Sequence, residues 1–147
     1  MPVSKRVRVA KSDDARHLVF GWAMIAKTRA GETVVDHDDQ WCEPEDVEDA
    51  AYDFVLNAAN GPVSGEEHDP GYTPDAFLIE SVAFTEEKLV AMGIDPGAVD
   101  LGHWVGLYIP DDEAYERVKS GEKSMLSIDG FALESEEEPA GAIVRAA

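Results

Sequence analysis

Two serines, Ser124 and Ser127, stand three positions apart in the strand-like run GEKSMLSIDGFALE, residues 121–134. A serine hydroxyl attacks a carbonyl only when a nearby base takes its proton. Side chains alternate along a strand, so Ser124 shares a face with Leu126, Ile128 and Ala132. Met125, Ser127, Asp129 and Phe131 share the other. The first set reads as core, and parity therefore favours Ser127 as the serine that could react. Gly130 permits a bulge or a close backbone approach, which helps aim amide N–H groups at a developing oxyanion.

The chain has four histidines that could act as the base. His17 opens an apolar run and reads as a strand-edge residue. His37 lies among Asp36, Asp38 and Asp39, whose carboxylates favour the cationic imidazolium and make it a poor base. His103 opens HWVGLYI on the face of Val105 and Leu107 and reads as a satisfied core or rim residue. His68, in GEEHDPG between Gly65, Pro70 and Gly71, is a histidine carried by a shaped loop, and by itself it too reads as a surface residue. In AFLIESVAF, strict alternation puts Glu80 on the face of Leu78, Val82 and Phe84. A carboxylate on an apolar face needs a hydrogen-bond partner such as a histidine N–H, unless the face is a rim that reaches water. A second constellation, Asp36, His37 and Asp38 in VVDHDDQW, has oxygen ligands that suit magnesium or calcium. Its spacing matches no calcium loop, and it reads more simply as an acidic solvated turn.

The elements that must carry these residues follow from periodicity. HLVFGWAMIA (17–26) reads as a buried strand, and GETVVDHDD (31–39) begins as its hairpin partner after the RAG turn. Residues 42–60 form the clearest helix, with Pro44 at a first helical position and Glu43, Glu45 and Asp46 at the positive end of the dipole. Its expected buried stripe is Val47, Ala50, Ala51, Phe54, Val55 and Ala58. Strands follow at 76–84, 103–109 and 124–133. Short helices lie between them at 85–93, from a Thr85 cap to a Gly93 stop, and at 110–121. At least five strands and two or three helices without regular βαβ alternation predict an α+β fold. A mostly antiparallel small β-barrel or curled sheet flanked by helices fits this order. Residues 1–133 read as a single domain and 134–147 as an acidic, flexible tail.

The 147 residues carry 31 acidic and 12 basic side chains, a formal net charge of −19. That charge disfavours nucleic acid or an anionic membrane as a direct partner. The cations concentrate in SKRVRVAK (4–11), a short basic arm or strand-forming leader. The single cysteine, Cys42, allows no internal disulfide and no zinc spacing. No apolar run is long enough to span a membrane, and the first residues do not resemble a secretory leader.

Several of these stretches occur in a telling order. VFGWAMIA, VVDHDDQW, EPEDVEDAAYDFVLN, GEEH, FLIES and HWVGLYIPDDEAYERVKSGEKSMLSIDGFA together resemble the XkdF-like serine proteases of tailed phages and prophages, over roughly residues 17–133. That family is related to the prohead maturation proteases and, more distantly, to herpesvirus assemblin. The resemblance implies an assemblin-like fold and a serine endopeptidase with no cofactor. His68, at the histidine of the family's G-E-x-H motif, would be the general base. Ser127, at the serine of its S-I-x-G motif, would be the nucleophile. The E-S dipeptide of the following strand falls on Glu80-Ser81, and Glu80 is offered as the third member that orients His68 because alternation places it on an apolar face. The implied substrates are the phage scaffold and the scaffolding segment of the major capsid protein. They would be cut in the host cytoplasm inside an assembling procapsid, and relatives of this type can form a homodimer through helices. Asp129 stands where the family has the first glycine of a pair, a feature that favours an alternative: an inactive capsid- or scaffold-associated domain of the same fold. A metal-binding module built on Asp36, His37 and Asp38 is the other alternative.

Overall fold

The computed structural model describes residues 2–6, 8–35, 39–59, 76–120, 127–131, 141 and 143–145, with the backbone alone at 2–6, 8, 127–131 and 145. Strand β3 (Leu18–Lys27) is its axis. The run LVFGWAMIAK is rich in β-branched, aromatic and apolar residues, which suit a pleated surface covered on both faces. Along one edge β3 pairs antiparallel with β6 (Leu101–Tyr108), from Leu18↔Tyr108 to Lys27↔Leu101. Its other edge is shared. The first half pairs with β2 (Arg8–Asp13), and the last residue, Lys27, pairs with Thr33 of β4 (Thr33–Val35). The β3–β4 hairpin expected after the RAG turn is present: Gly31 takes φ 84°, and its N–H donates to the Thr28 carbonyl at 2.9 Å. A left-handed φ is least costly for glycine.

β5 (Phe77–Phe84) pairs antiparallel with β6, and β8 (Ile143–Arg145) pairs parallel with β4. The path through the main sheet is therefore β5-β6-β3-β4-β8, with β2 beside β3. β1 (Pro2–Arg6) and β7 (Ser127–Phe131) form a separate antiparallel ladder. The expected α+β class holds, but the barrel expectation needs correction. Among the described residues the six-stranded sheet is open and mixed, because β8 lies parallel to β4 and β5 is not paired with β8. Strand count and parity do not contain the information that closes a sheet; strand tilt and register do.

Among the described residues three α-helices accompany the sheet. α1 (Pro44–Ala58) packs on β5 and β6. Its buried stripe is narrower than periodicity suggests: Pro44, Val47 and Ala51 are buried and Phe54 and Ala58 half-buried, while Ala50 and Val55 face outward. α2 (Glu86–Met92) starts where Thr85 Oγ1 accepts the Lys88 N–H at 3.2 Å and stops at left-handed Gly93, φ 76°. α3 (Asp112–Lys119) is capped by Asp111, whose carboxylate accepts the Ala114 N–H at 2.8 Å. Such caps satisfy orphan donors of a first turn and contribute about 1 kcal/mol each.

The core lies between the sheet and α3. Val19 and Ala23 of β3, Val105 and Leu107 of β6, and Ile109 meet Ala114, Tyr115 and Val118. Burying each Val, Leu or Ile side chain contributes about 1.5–3 kcal/mol. A polar clamp fixes α3 at the start of β3. The Tyr115 hydroxyl donates to Asp14 at 2.7 Å, Lys119 Nζ donates to the same carboxylate at 2.9 Å, and the His17 ring stacks on Tyr115 at 4.6 Å. His17 does open the strand as expected. It takes a left-handed φ of 55°, its Nδ1 donates to the Ile109 carbonyl at 3.0 Å, and its carbonyl accepts the Ile109 N–H at 3.0 Å.

Candidate functional site

Pairing between β5 and β6 shifts register between Leu78 and Glu80: Leu78 faces Leu107, and Glu80 faces Gly106. Ile79 is thus an extra residue with no partner of its own, a β-bulge. A one-residue bulge reverses the faces that follow it. Leu78 packs against the core, whereas Glu80 is exposed on the opposite face. The expectation that Glu80 shares the face of Leu78 is corrected by this bulge, and Glu80 keeps only Val82 and Phe84 as face-mates. No buried carboxylate needs compensation here, because the group reaches water.

That second face carries an aromatic bed. Trp22 of β3 is opposite Trp104 of β6 in the ladder, and their rings meet edge to face at 5.3 Å. Phe84 adds a tilted contact to Trp22 at 5.8 Å. Such edge contacts satisfy ring quadrupoles and hold ring orientation. Trp104 Nε1 donates to Glu80 Oε1 at 2.8 Å, so the bed fixes the carboxylate. Gly106 makes room for this arrangement: a Cβ there would lie 2.8 Å from the Phe20 ring and 3.0 Å from Glu80 Cβ.

β7 lies in the separate two-stranded ladder. Trp22 is registered opposite Arg8 of β2, and Arg6 of β1 is registered opposite Ser127 of β7. Arg6 and Arg8 are two residues apart, and ladder partners lie about 5 Å apart. Two residues of chain span at most about 7 Å, which bounds the Ser127 Cα to within about 12 Å of Arg8. Of the residues singled out from the sequence, Glu80 is therefore described in full and Ser127 by its backbone register. His68 lies outside the described residues, as do Asp36, His37 and Asp38. Among the described residues no group of three metal-ligating side chains gathers.

The opposite face of the sheet holds a serine–histidine pair that sequence reasoning missed. Ser81 Oγ lies 2.8 Å from His103 Nε2, beneath α1, with Phe54 edge-on to the imidazole at 5.9 Å. Ser81 pairs with Val105 and His103 with Ala83, so the two are diagonal neighbours on one face. His103 is 2% exposed, on the face of Val105 and Leu107 as the sequence suggests. Burial pushes its pKa down to about 4, because an imidazolium loses its hydration there. The neutral ring and the Ser81 hydroxyl share this hydrogen bond, the imidazole tautomer setting which of them donates. An imidazole that titrates so low is a weak base, and the pair is enclosed by a helix. Its chemistry is that of a satisfied buried pair. The signal that could have found it is one polar residue at the buried parity of each of two adjacent strands, legible only once the Ile79 bulge is known.

The protein-family comparison matches residues 6–136 to one model, Peptidase_S78_2, described as "Putative phage serine protease XkdF". No curated protein and no solved structure matches the chain. The matched span runs from the end of β1 past β7 and takes in the Glu80 face, the Trp22–Trp104 bed and the Ser127 ladder, and on that coverage the chain belongs to the phage serine protease family typified by XkdF.

Proposed function

We propose that the chain is a maturation protease of a tailed phage or prophage, a serine endopeptidase acting on the scaffold or on the scaffolding segment of the major capsid protein. Ser127 is the nucleophile, His68 the base and Glu80 the orienting carboxylate. His68 takes the Ser127 proton as Oγ attacks the scissile carbonyl carbon. The C–N bond breaks, His68 returns the proton to the leaving amine, and water releases the acyl group from Ser127 by the same route. Amide N–H groups near Gly130 receive the oxyanion. The reaction takes place in the host cytoplasm within an assembling procapsid, and the net charge of −19 keeps the enzyme off nucleic acid.

One observation carries the reading. Arg6, registered opposite Ser127 in the separate β1–β7 ladder, is two residues from Arg8, which is registered opposite Trp22, and Trp22 meets the Trp104 that holds the exposed Glu80 carboxylate. The Ser81–His103 pair, by contrast, is enclosed beneath α1. The test is procapsid processing. Procapsids assembled with the wild-type chain should yield shortened scaffold and capsid protein by mass spectrometry, and those with Ser127→Ala only full-length protein. Equal processing by both would remove Ser127 from the chemistry.

A further inference from the structure

We infer that the sheet face carrying Trp22, Trp104 and Glu80 is a recognition site for an arginine side chain of a partner polypeptide; the inference does not depend on the proposed roles of Ser127 and His68. Aromatic rings gather on this face. Trp22 and Trp104 meet at 5.3 Å with their planes 82° apart, and Phe84 meets Trp22 at 5.8 Å with a tilt of 59°. Rings set so steeply do not stack on one another, and the ring that offers its edge keeps both π faces uncovered by its neighbour. Trp22, Trp104 and Phe84 are half-buried. Single apolar residues at a surface are ordinary, but adjacent indoles left in reach of solvent mark contact sites. The carboxylate beside them is held in place: Trp104 Nε1 donates to Glu80 Oε1 at 2.8 Å, while Glu80 itself is exposed.

A cation is the ligand that uses both features. The negative π face of an indole attracts it, and the carboxylate pairs with it. The same face already holds one cation on a ring: Lys11 Nζ stands 4.8 Å from the centroid of Phe20, two residues from Trp22 along β3. A guanidinium fits the Trp104–Glu80 arrangement better than an ammonium does. It is planar and weakly hydrated, lies flat on an indole, and sends its N–H groups sideways towards a carboxylate. Glu80 sits at the rim of the Trp104 ring, because the N–H it accepts lies in the ring plane. A carboxylate has about four acceptor positions and the indole occupies one, so most of that capacity remains for a ligand. Charge also acts at longer range. The chain carries 31 acidic against 12 basic side chains and attracts basic segments of other proteins. The occupant is accordingly an arginine on an exposed segment of another chain.

The probes are the blocked peptide acetyl-Gly-Ala-Arg-Ala-Gly-amide and its counterpart with citrulline, which keeps the planar group and loses the charge. The indole N–H signals of Trp22, Trp41 and Trp104 in the nitrogen-15-labelled chain report binding by NMR. The arginine peptide should shift Trp22 and Trp104 saturably and leave Trp41 in place. The citrulline peptide should bind about tenfold more weakly. Glu80→Gln keeps an oxygen for the Trp104 N–H and removes the charge; it should weaken the arginine peptide about tenfold and leave the citrulline peptide unchanged. Equal binding of the two peptides, shifts led by Trp41, an arginine affinity that Glu80→Gln does not lower, or no shift at millimolar peptide would each overturn the inference. A saturable shift that appears only in Arg8→Ala would overturn it too: Arg8 is registered opposite Trp22, and the chain would then fill the site with its own guanidinium. A fluorophosphonate keeps this inference apart from the proposed function. A reactive serine Oγ attacks its phosphorus and fluoride leaves, so labelling reports the serine whether or not arginine binds. Labelling of Ser127 without arginine binding would overturn the inference alone, whereas arginine binding with no labelled serine would support the inference and sink the proposed function.

Discussion

Ser81 Oγ and His103 Nε2 stand 2.8 Å apart on the α1 side of the sheet, at the separation expected of a nucleophile and its base. Distance alone does not make them a catalytic pair. The ring is 2% exposed, is covered by Phe54, and has its pKa lowered by burial to about 4. We assign them a structural role. Ser81→Ala leaves a buried Nε2 without its partner and should cost about 1–3 kcal/mol in urea unfolding. It should leave fluorophosphonate labelling at the wild-type extent.

His103 also makes stability depend on pH. Its folded pKa of about 4 lies below the ordinary 6.5. As pH falls from 6.5 towards 4 the unfolded chain takes up a proton that the folded chain refuses, and stability is lost across that window. By pH 5 the loss from this group alone is about 2 kcal/mol. A His103→Gln chain lacks it. The gap in unfolding free energy between wild type and variant should therefore shift by that amount in favour of the variant between pH 7.5 and pH 5. An unchanged gap would mean that the ring takes up its proton in the fold as readily as in the unfolded chain, and would contradict the burial argument.

The clamp on α3 is separable from the site. Tyr115 is 1% exposed, and burial together with its hydrogen bond to Asp14 pushes its pKa up to about 12. Tyr115→Phe keeps the ring stacked under His17 and leaves Lys119 on Asp14. It should cost about 1 kcal/mol of stability. In an absorbance titration, a phenol that ionises near pH 12 in wild type should be missing from Tyr115→Phe.

Two glycines of β6 should separate by severity. At Gly106 an added methyl meets the Phe20 ring at 2.8 Å and Glu80 Cβ at 3.0 Å, both side chains that can yield in part. Gly106→Ala should cost about 1–3 kcal/mol by overpacking and slow labelling by displacing Glu80. At Gly102 the added methyl meets backbone, the Met24 carbonyl and Ile25 Cα at 2.8 Å. Gly102→Ala must part β3 from β6 and should destabilise the chain more than Gly106→Ala, as thermal unfolding would show.

Much of the architecture is legible in local chemistry. Thr85 and Gly93 bound α2 because a hydroxyl and a left-handed glycine each satisfy helix-end groups. Pro44 opens α1, and Gly31 turns β3 into β4. Position 79 is where the reading of the site failed. Nothing in FLIESVAF marks Ile79 as a bulge, yet that extra residue moves Glu80 from the Leu78 face to the Trp104 face and brings Ser81 inward. The open, mixed path of the sheet is illegible for a related reason. The parallel β4–β8 pairing joins Val35 to Arg145, a contact far apart in sequence that local periodicity does not encode. The Glu80–Trp104 bond depends on the same register, and so only the residue types, and not their partnership, could be read in advance.

The most direct measurement is the mass-spectrometric location of the fluorophosphonate adduct on the wild-type chain. The account expects one adduct per chain, carried by the peptide that contains Ser127, and none on Ser127→Ala or His68→Ala. An adduct on Ser81, or stoichiometric labelling that survives the loss of Ser127, would contradict it.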